Sequence, residues 1–225
     1  MQRSISLTRA LVNRLPDRVD AEGPVRASAP DPDFYDRTAD AILEAVDPNH
    51  GLWIFAIGSL IWNPRCPVID RRAALVRGWR RSFCIGPMMR HRGNPDAPGR
   101  MLSLDRGGEC PGVVLQVDSE NQRDSLVALL NLEPPIPPVW VEAETPHGMV
   151  PAIAFAIHPN FPMYSPEPPE DELADLLASA VGTIGSMADY LLNTVTELEK
   201  AGIHDPYIWR MQEMVAERLA CLPER

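Results

Sequence analysis

The chain has 225 residues, 45% of them hydrophobic, enough to bury a sizeable core and too many for a disordered or fibrous protein. With 21 basic against 31 acidic residues the net charge is −10, which argues against a nucleic-acid or anionic-membrane surface. The four cysteines, Cys66, Cys84, Cys110 and Cys221, form no Cys-x-x-Cys pair, so reduced thiols of a cytoplasmic protein are expected rather than a zinc ribbon or a disulfide framework.

In chain order, Met1 to Arg18 carries Arg3, Arg9, Arg14 and Arg18 against the single acid Asp17, with an apolar stripe at Ile5, Leu7, Leu11, Val12 and Leu15. Such a start suits a transit peptide or a short helix packed on the body of the protein, and we expect the second. Ala21 to Asp33 reads as a Pro-rich linker, and Asp33 to Val46 as a helix with Asp33 at its N-cap. Leu52-Trp-Ile-Phe-Ala-Ile is an apolar run closed by Gly58-Ser59, hence a buried strand ending in a turn. Further strands are expected at 74–77, 81–85, 100–104, 112–117, 139–144 and 150–158, with Gly107-Gly108 as a hairpin turn. Ser119 to Leu132 reads as a helix capped by Asp118 or Ser119. After Pro169 the apolar spacing becomes helical, at Leu173, Leu176, Leu177 and Val181, then Leu191, Leu192, Val195 and Leu198, then Met211, Met214, Val215 and Leu219. Strands followed by helices, without regular alternation, indicate an α+β fold. No apolar run is long enough to span a bilayer, so no membrane is expected as a partner.

A glycine at a strand end frees the backbone to aim N–H groups at a ligand carboxylate, and Ser59 adds a hydroxyl. On its own Gly58-Ser59-Leu60 is more often only a turn. Its context is more specific. Leu52-Trp-Ile-Phe-Ala-Ile-Gly-Ser-Leu-Ile-Trp-Asn-Pro at 52–64 resembles the opening motif of ChaC-like gamma-glutamylcyclotransferases, Trp-x-Phe-Gly-Tyr-Gly-Ser-Leu-x-Trp-Asn-Pro. The similarity continues through Leu75 to Cys84, Arg92 to Gly108, Pro138-Val139-Trp140 and the segment around Asp189-Tyr190-Leu191.

The resemblance implies a small mixed β-barrel surrounded by helices, with residues 49–225 as that domain and 1–48 as a helical extension and linker. It implies conversion of glutathione to 5-oxoproline and cysteinylglycine, with glutathione or a related gamma-glutamyl compound as the small-molecule partner. Carried over by position, the loop that holds the gamma-glutamyl group is Ile57, Gly58, Ser59, Leu60, Ile61 and Trp62. The family's catalytic base is a glutamate late in a helix, and here it corresponds to Glu133. The reaction is intramolecular, so orientation supplies much of its rate, and one base with donors for the developing oxyanion suffices. Leu132 and Ile136 beside Glu133 are expected to raise its pKa by burial. Glu142 and Glu144 alternate with Val141 and Ala143 and should face solvent, while Asp105 and Glu109 read as turn residues.

The chain departs from the family pattern near this site. Ile57 replaces a tyrosine, Leu132 and Pro134 replace an arginine and a methionine, and the stretch from Glu133 to Trp140 is shorter and lacks a second tyrosine. Tyr164 could supply a phenol instead. A non-catalytic binder of gamma-glutamyl compounds and an enzyme for another gamma-glutamyl amine therefore stay open beside the leading reading. The five histidines show no metal-ligand spacing, and no nucleotide-binding loop is present, so no metal and no cofactor are expected. A monomer is the default.

Overall fold

The computed structural model describes residues 4–23 and 29–224, so part of the expected linker and the first three residues lie outside it. Its elements in chain order are α1 (Arg9–Val12), α2 (Phe34–Ala45), β1 (Trp53–Ala56), a single 3₁₀ turn (Ser59–Ile61), β2 (Val68–Met88), β3 (Gly99–Val117), α3 (Gln122–Leu130), β4 (Val139–Thr145), β5 (Gly148–Ala154), α4 (Glu170–Ser179), β6 (Val181–Gly182), β7 (Gly185–Ser186), α5 (Met187–Lys200) and α6 (Pro206–Ala220). The first five strands close a barrel in the order β1-β3-β2-β4-β5, with β1 parallel to β5 and antiparallel to β3. The architecture is α+β with a mixed barrel.

Two strands are much longer than the sequence pattern suggests. Gly107-Gly108 makes no hairpin: both glycines lie inside β3, at φ of 97° and 69°, and the strand continues through them. Gly78, at φ 79°, does the same within β2 and joins the two short strands expected there. A glycine at positive φ bends a strand without ending it, because a local irregularity needs no second strand to return the chain.

The chain divides into two compact units, to both of which β2 and β3 contribute. One holds residues 26–81 and 103–158. Its interior is the run Leu52 to Ala56 with Val76, Leu104, Val113, Val114, Leu115, Val141, Ala143, Ala152, Ile153 and Ala154, all buried. Helix α3 packs on α2, and Arg123 joins them through Asp36 at 3.0 Å and Asp40 at 2.6 Å. The cap of α3 is Asn121, in the left-handed region at φ 53°, whereas Asp118 accepts from the Glu120 N–H in the turn before it. Asp33 holds the N-cap position of α2 without a side-chain bond.

The other unit holds residues 1–25, 82–102 and 159–225, and is built on α4, α5 and α6 packed against one another. Ser186 caps α5 by accepting from the Asp189 N–H, and Asp205 caps α6 by accepting from the Tyr207 and Ile208 N–H groups, with Pro206 at the first helical position. The amphipathic start packs on this unit. Leu7 is fully buried and its N–H donates to Gln212 Oε1 at 2.8 Å, while Arg14 reaches the carbonyls of Leu219, Ala220 and Leu222 at the end of α6. A cation there satisfies carbonyls that the helix itself leaves open.

Glu167 gathers three donors on one oxygen: Ser82 Oγ at 2.9 Å, the Phe83 N–H at 2.7 Å and the Tyr207 hydroxyl at 2.5 Å. Burial, with the Glu167 carboxylate beside it, pushes the Tyr207 phenol well above the ordinary tyrosine range. The unfolded chain therefore loses this proton first, and the linked stability is full below about pH 10 and falls as pH rises beyond it. Urea midpoints measured from pH 8 to pH 11 should fall above about pH 10, and Tyr207→Phe should flatten that fall. Removing the α6 cap with Asp205→Ala should cost about 1 kcal/mol, read as a thermal midpoint lower by about 2–4 °C.

Candidate active site

β1 is buried along its whole length, and the chain leaves it through Ile57 and Gly58 into the 3₁₀ turn. The turn closes with Ile61 N–H on Gly58 O at 2.9 Å, Trp62 N–H on Ser59 O at 3.2 Å and Asn63 N–H on Ser59 O at 2.8 Å. Leu60 and Ile61 are buried and anchor it, whereas Ser59 and Trp62 are half-buried. Arginines grip its two ends. Arg81 Nε donates to Ile57 O at 2.9 Å, and Arg71 Nη1 to Ile61 O at 2.7 Å. The first N–H groups of so short a turn have no acceptor within it, so Ser59 offers both an N–H and a hydroxyl.

Glu133 lies just past α3. The helix closes tightly, with Leu132 N–H on Leu129 O and Glu133 N–H on Leu130 O at 3.3 Å, and Pro134 then prevents further helix. Ile136 N–H folds back to Pro134 O at 2.7 Å before β4 begins at Val139. Glu133 is half-buried. Leu132 is 52% exposed and turned to water, so it does not give Glu133 the apolar cover expected from the sequence.

Strand register relates these two segments. Val139 of β4 pairs with Ala154 of β5, and Ala154 pairs with Phe55 of β1. Because β4 runs opposite to β5 and β5 runs with β1, the start of β4 and the end of β1 lie at the same end of the barrel. One strand separates them, which is about 10 Å across the sheet. The segment bearing Glu133 and the turn at 57–62 thus rise from one rim. That rim can offer donors to a carboxylate and a carboxylate to a proton.

The other candidates fall elsewhere. Glu142 and Glu144 are exposed on the outer face of β4, Glu144 in an ion pair with Arg77 at 3.3 Å. Asp105 is a buried strand residue paired with Arg80 rather than a turn residue, because β3 continues past it. Tyr164 is half-buried and sits in the helical unit, bridged to Ile85. His50 faces Asp47 and His204 faces Glu199, each at 2.9 Å. No group of three His, Cys, Asp or Glu side chains that could hold a metal ion occurs among the described residues.

One residue at the rim had no assigned role in the sequence. Arg81 is only 5% exposed and, besides Ile57 O, donates through Nη2 to Pro111 O at 2.6 Å. Burial pushes the neighbouring Cys110 thiol up, and the Arg81 guanidinium opposes that shift. The signal for it was a charged residue, Arg81, two positions before the apolar Phe83-Cys84-Ile85 run of a strand.

The family model for ChaC-like proteins matches residues 52–218. A glutathione-specific gamma-glutamylcyclotransferase of Escherichia coli strain K12 is 34% identical over 166 residues, covering 72% of this chain and 71% of its own length. The glutathione-specific gamma-glutamylcyclotransferase 1 of Mus musculus is 31% identical over 192 residues, covering 80% of this chain and 85% of its own. Among solved structures, a yeast gamma-glutamylcyclotransferase specific to glutathione superposes with a TM-score of 0.64 at 21% identity, over 75% of this chain and 99% of that one, which shows the shared fold. By sequence the chain belongs to the ChaC-like family.

Proposed function

We propose that this protein is a glutathione-specific gamma-glutamylcyclotransferase with Glu133 as its general base. The observation that carries the reading is the 34% identity to an enzyme of that activity across most of both chains. The common rim of Glu133 and the 57–62 turn supports it. In this reading Gly58, Ser59 and Leu60 hold the glutamyl carboxylate and amine, with Ile57, Ile61 and Trp62 shaping the turn. Glu133 takes a proton from the substrate's alpha-amino group, whose nitrogen attacks the gamma-carbonyl carbon. The new carbon–nitrogen bond closes a five-membered ring. The old bond to the cysteine nitrogen breaks, and Glu133 returns the proton to that leaving nitrogen. The products are 5-oxoproline and cysteinylglycine, and no redox or external group is required.

The reading extends to a cytoplasmic, monomeric enzyme that needs no cofactor, with residues 49–225 as the catalytic domain and 1–48 as its extension. A second reading, a binder that does not turn gamma-glutamyl compounds over, draws on Ile57, which stands where the resemblance places a tyrosine.

The deciding experiment measures 5-oxoproline release from glutathione by the purified protein. Wild type should release it, and Glu133→Gln should lower kcat by about 10²–10⁴-fold with the fold unchanged by circular dichroism. Release by Glu133→Gln within a few-fold of wild type would move the base to another group. Glutathione binding without release by wild type would favour the binder. Ser59→Ala, which removes one donor to the glutamyl group, should raise KM by about 3–10-fold with a smaller effect on kcat.

A further inference from the structure

The β1/β3 ladder runs in register as far as Ala56 opposite Val113. Two features of β3 follow that point. Pro111 has no N–H to donate across the ladder. Gly112 lets the two backbones meet directly, since a Cβ at that position would lie 2.7 Å from Ala56 O and 2.7 Å from the Phe55 ring. Beyond this point the donor to both strands is a side chain. The buried Arg81 guanidinium binds Ile57 O, just past the end of β1, and Pro111 O in β3. Its planar fork sends these two bonds in fixed directions, which an ammonium group cannot reproduce.

We propose that Arg81 is a positioning residue for substrate binding. Its guanidinium pins Ile57 to β3, and this fixes the direction in which the Gly58–Trp62 turn presents its N–H groups and the Ser59 hydroxyl to the glutamyl end of the substrate. The proposal rests on the reading of residues 57–62 as the turn that holds that group. Arg81 itself touches no reacting atom in this scheme, so its loss acts on affinity more than on the chemical step.

The test compares wild type with Arg81→Lys and Arg81→Met by hydrogen exchange, read by mass spectrometry, and by kcat and KM for 5-oxoproline release from glutathione. Exchange in a peptide covering 57–63 should rise by about tenfold in Arg81→Met and by less in Arg81→Lys, while a peptide covering β5 keeps its wild-type rate. KM should rise by about tenfold in Arg81→Met, kcat should fall less, and the lysine should recover part of the loss. Unchanged exchange at 57–63, an equal rise at β5, or an unmoved KM in a folded variant would overturn the assignment. Loss of fold in both variants would overturn it too, since Arg81 would then hold the barrel and not the turn. Should wild type release no 5-oxoproline, the activity reading fails, and the exchange pattern alone decides whether Arg81 fixes the turn.

Discussion

Everything placed at the candidate site follows from the parallel pairing of β1 with β5. A parallel pair cannot be joined by a tight turn, so the chain must travel through β2, β3, α3 and β4 before it returns. The hairpin between β4 and β5 then sets β4 antiparallel to both, and the start of β4 falls at the end of β1. Had β5 run against β1, the same two loops would emerge from opposite ends of the barrel. That the segment entering β4 and the turn leaving β1 share one end of the barrel is thus a property of topology before it is one of side chains.

Closing a barrel from so few strands requires them to bend, and glycine supplies the bends. Gly78 in β2 and Gly107 and Gly108 in β3 take positive φ, where a side chain would be strained. Each lies within a strand that continues beyond it, so the backbone bonds are kept while the direction changes. Where the β1/β3 ladder stops, past Ala56 opposite Val113, the buried Arg81 binds a carbonyl on each side. Buried carbonyls without donors are costly, so a charged side chain is tolerated in a strand interior when it meets two of them.

Much of this was legible in the sequence, for identifiable reasons. β1 and its closing turn are visible because a continuous apolar run met by Gly58-Ser59 admits few other structures. Helices α4, α5 and α6 are visible because their apolar spacing is regular. The outward face of Glu142 and Glu144 follows from alternation alone. The Gly107-Gly108 hairpin failed because glycine pairs mark both turns and bends, and only the partner strands distinguish them. The Asn121 cap failed because a left-handed cap without a side-chain bond leaves no trace in the usual capping pattern. Arg81 failed for a deeper reason: its partners are two backbone carbonyls brought together by the barrel, and backbone carbonyls are the same in every sequence.

In the proposed mechanism the segment that carries Glu133 would hold the base on a stiff connection. Pro134, Pro135, Pro137 and Pro138 occupy four of the five positions from 134 to 138, and each fixes its own φ near −65°. A flexible loop of that length would lose conformational freedom each time it set the carboxylate against a substrate, whereas a proline-rich one has surrendered most of it before folding is complete. Stiffness matters most for a reaction of this type. The nucleophile and the carbonyl already belong to one molecule, so the enzyme's task reduces to holding the glutamyl chain in its ring-closing conformation and keeping one base in place. In the proposed mechanism a turn gripped at both ends by arginines and a base on a stiff connection would meet that task with few side chains.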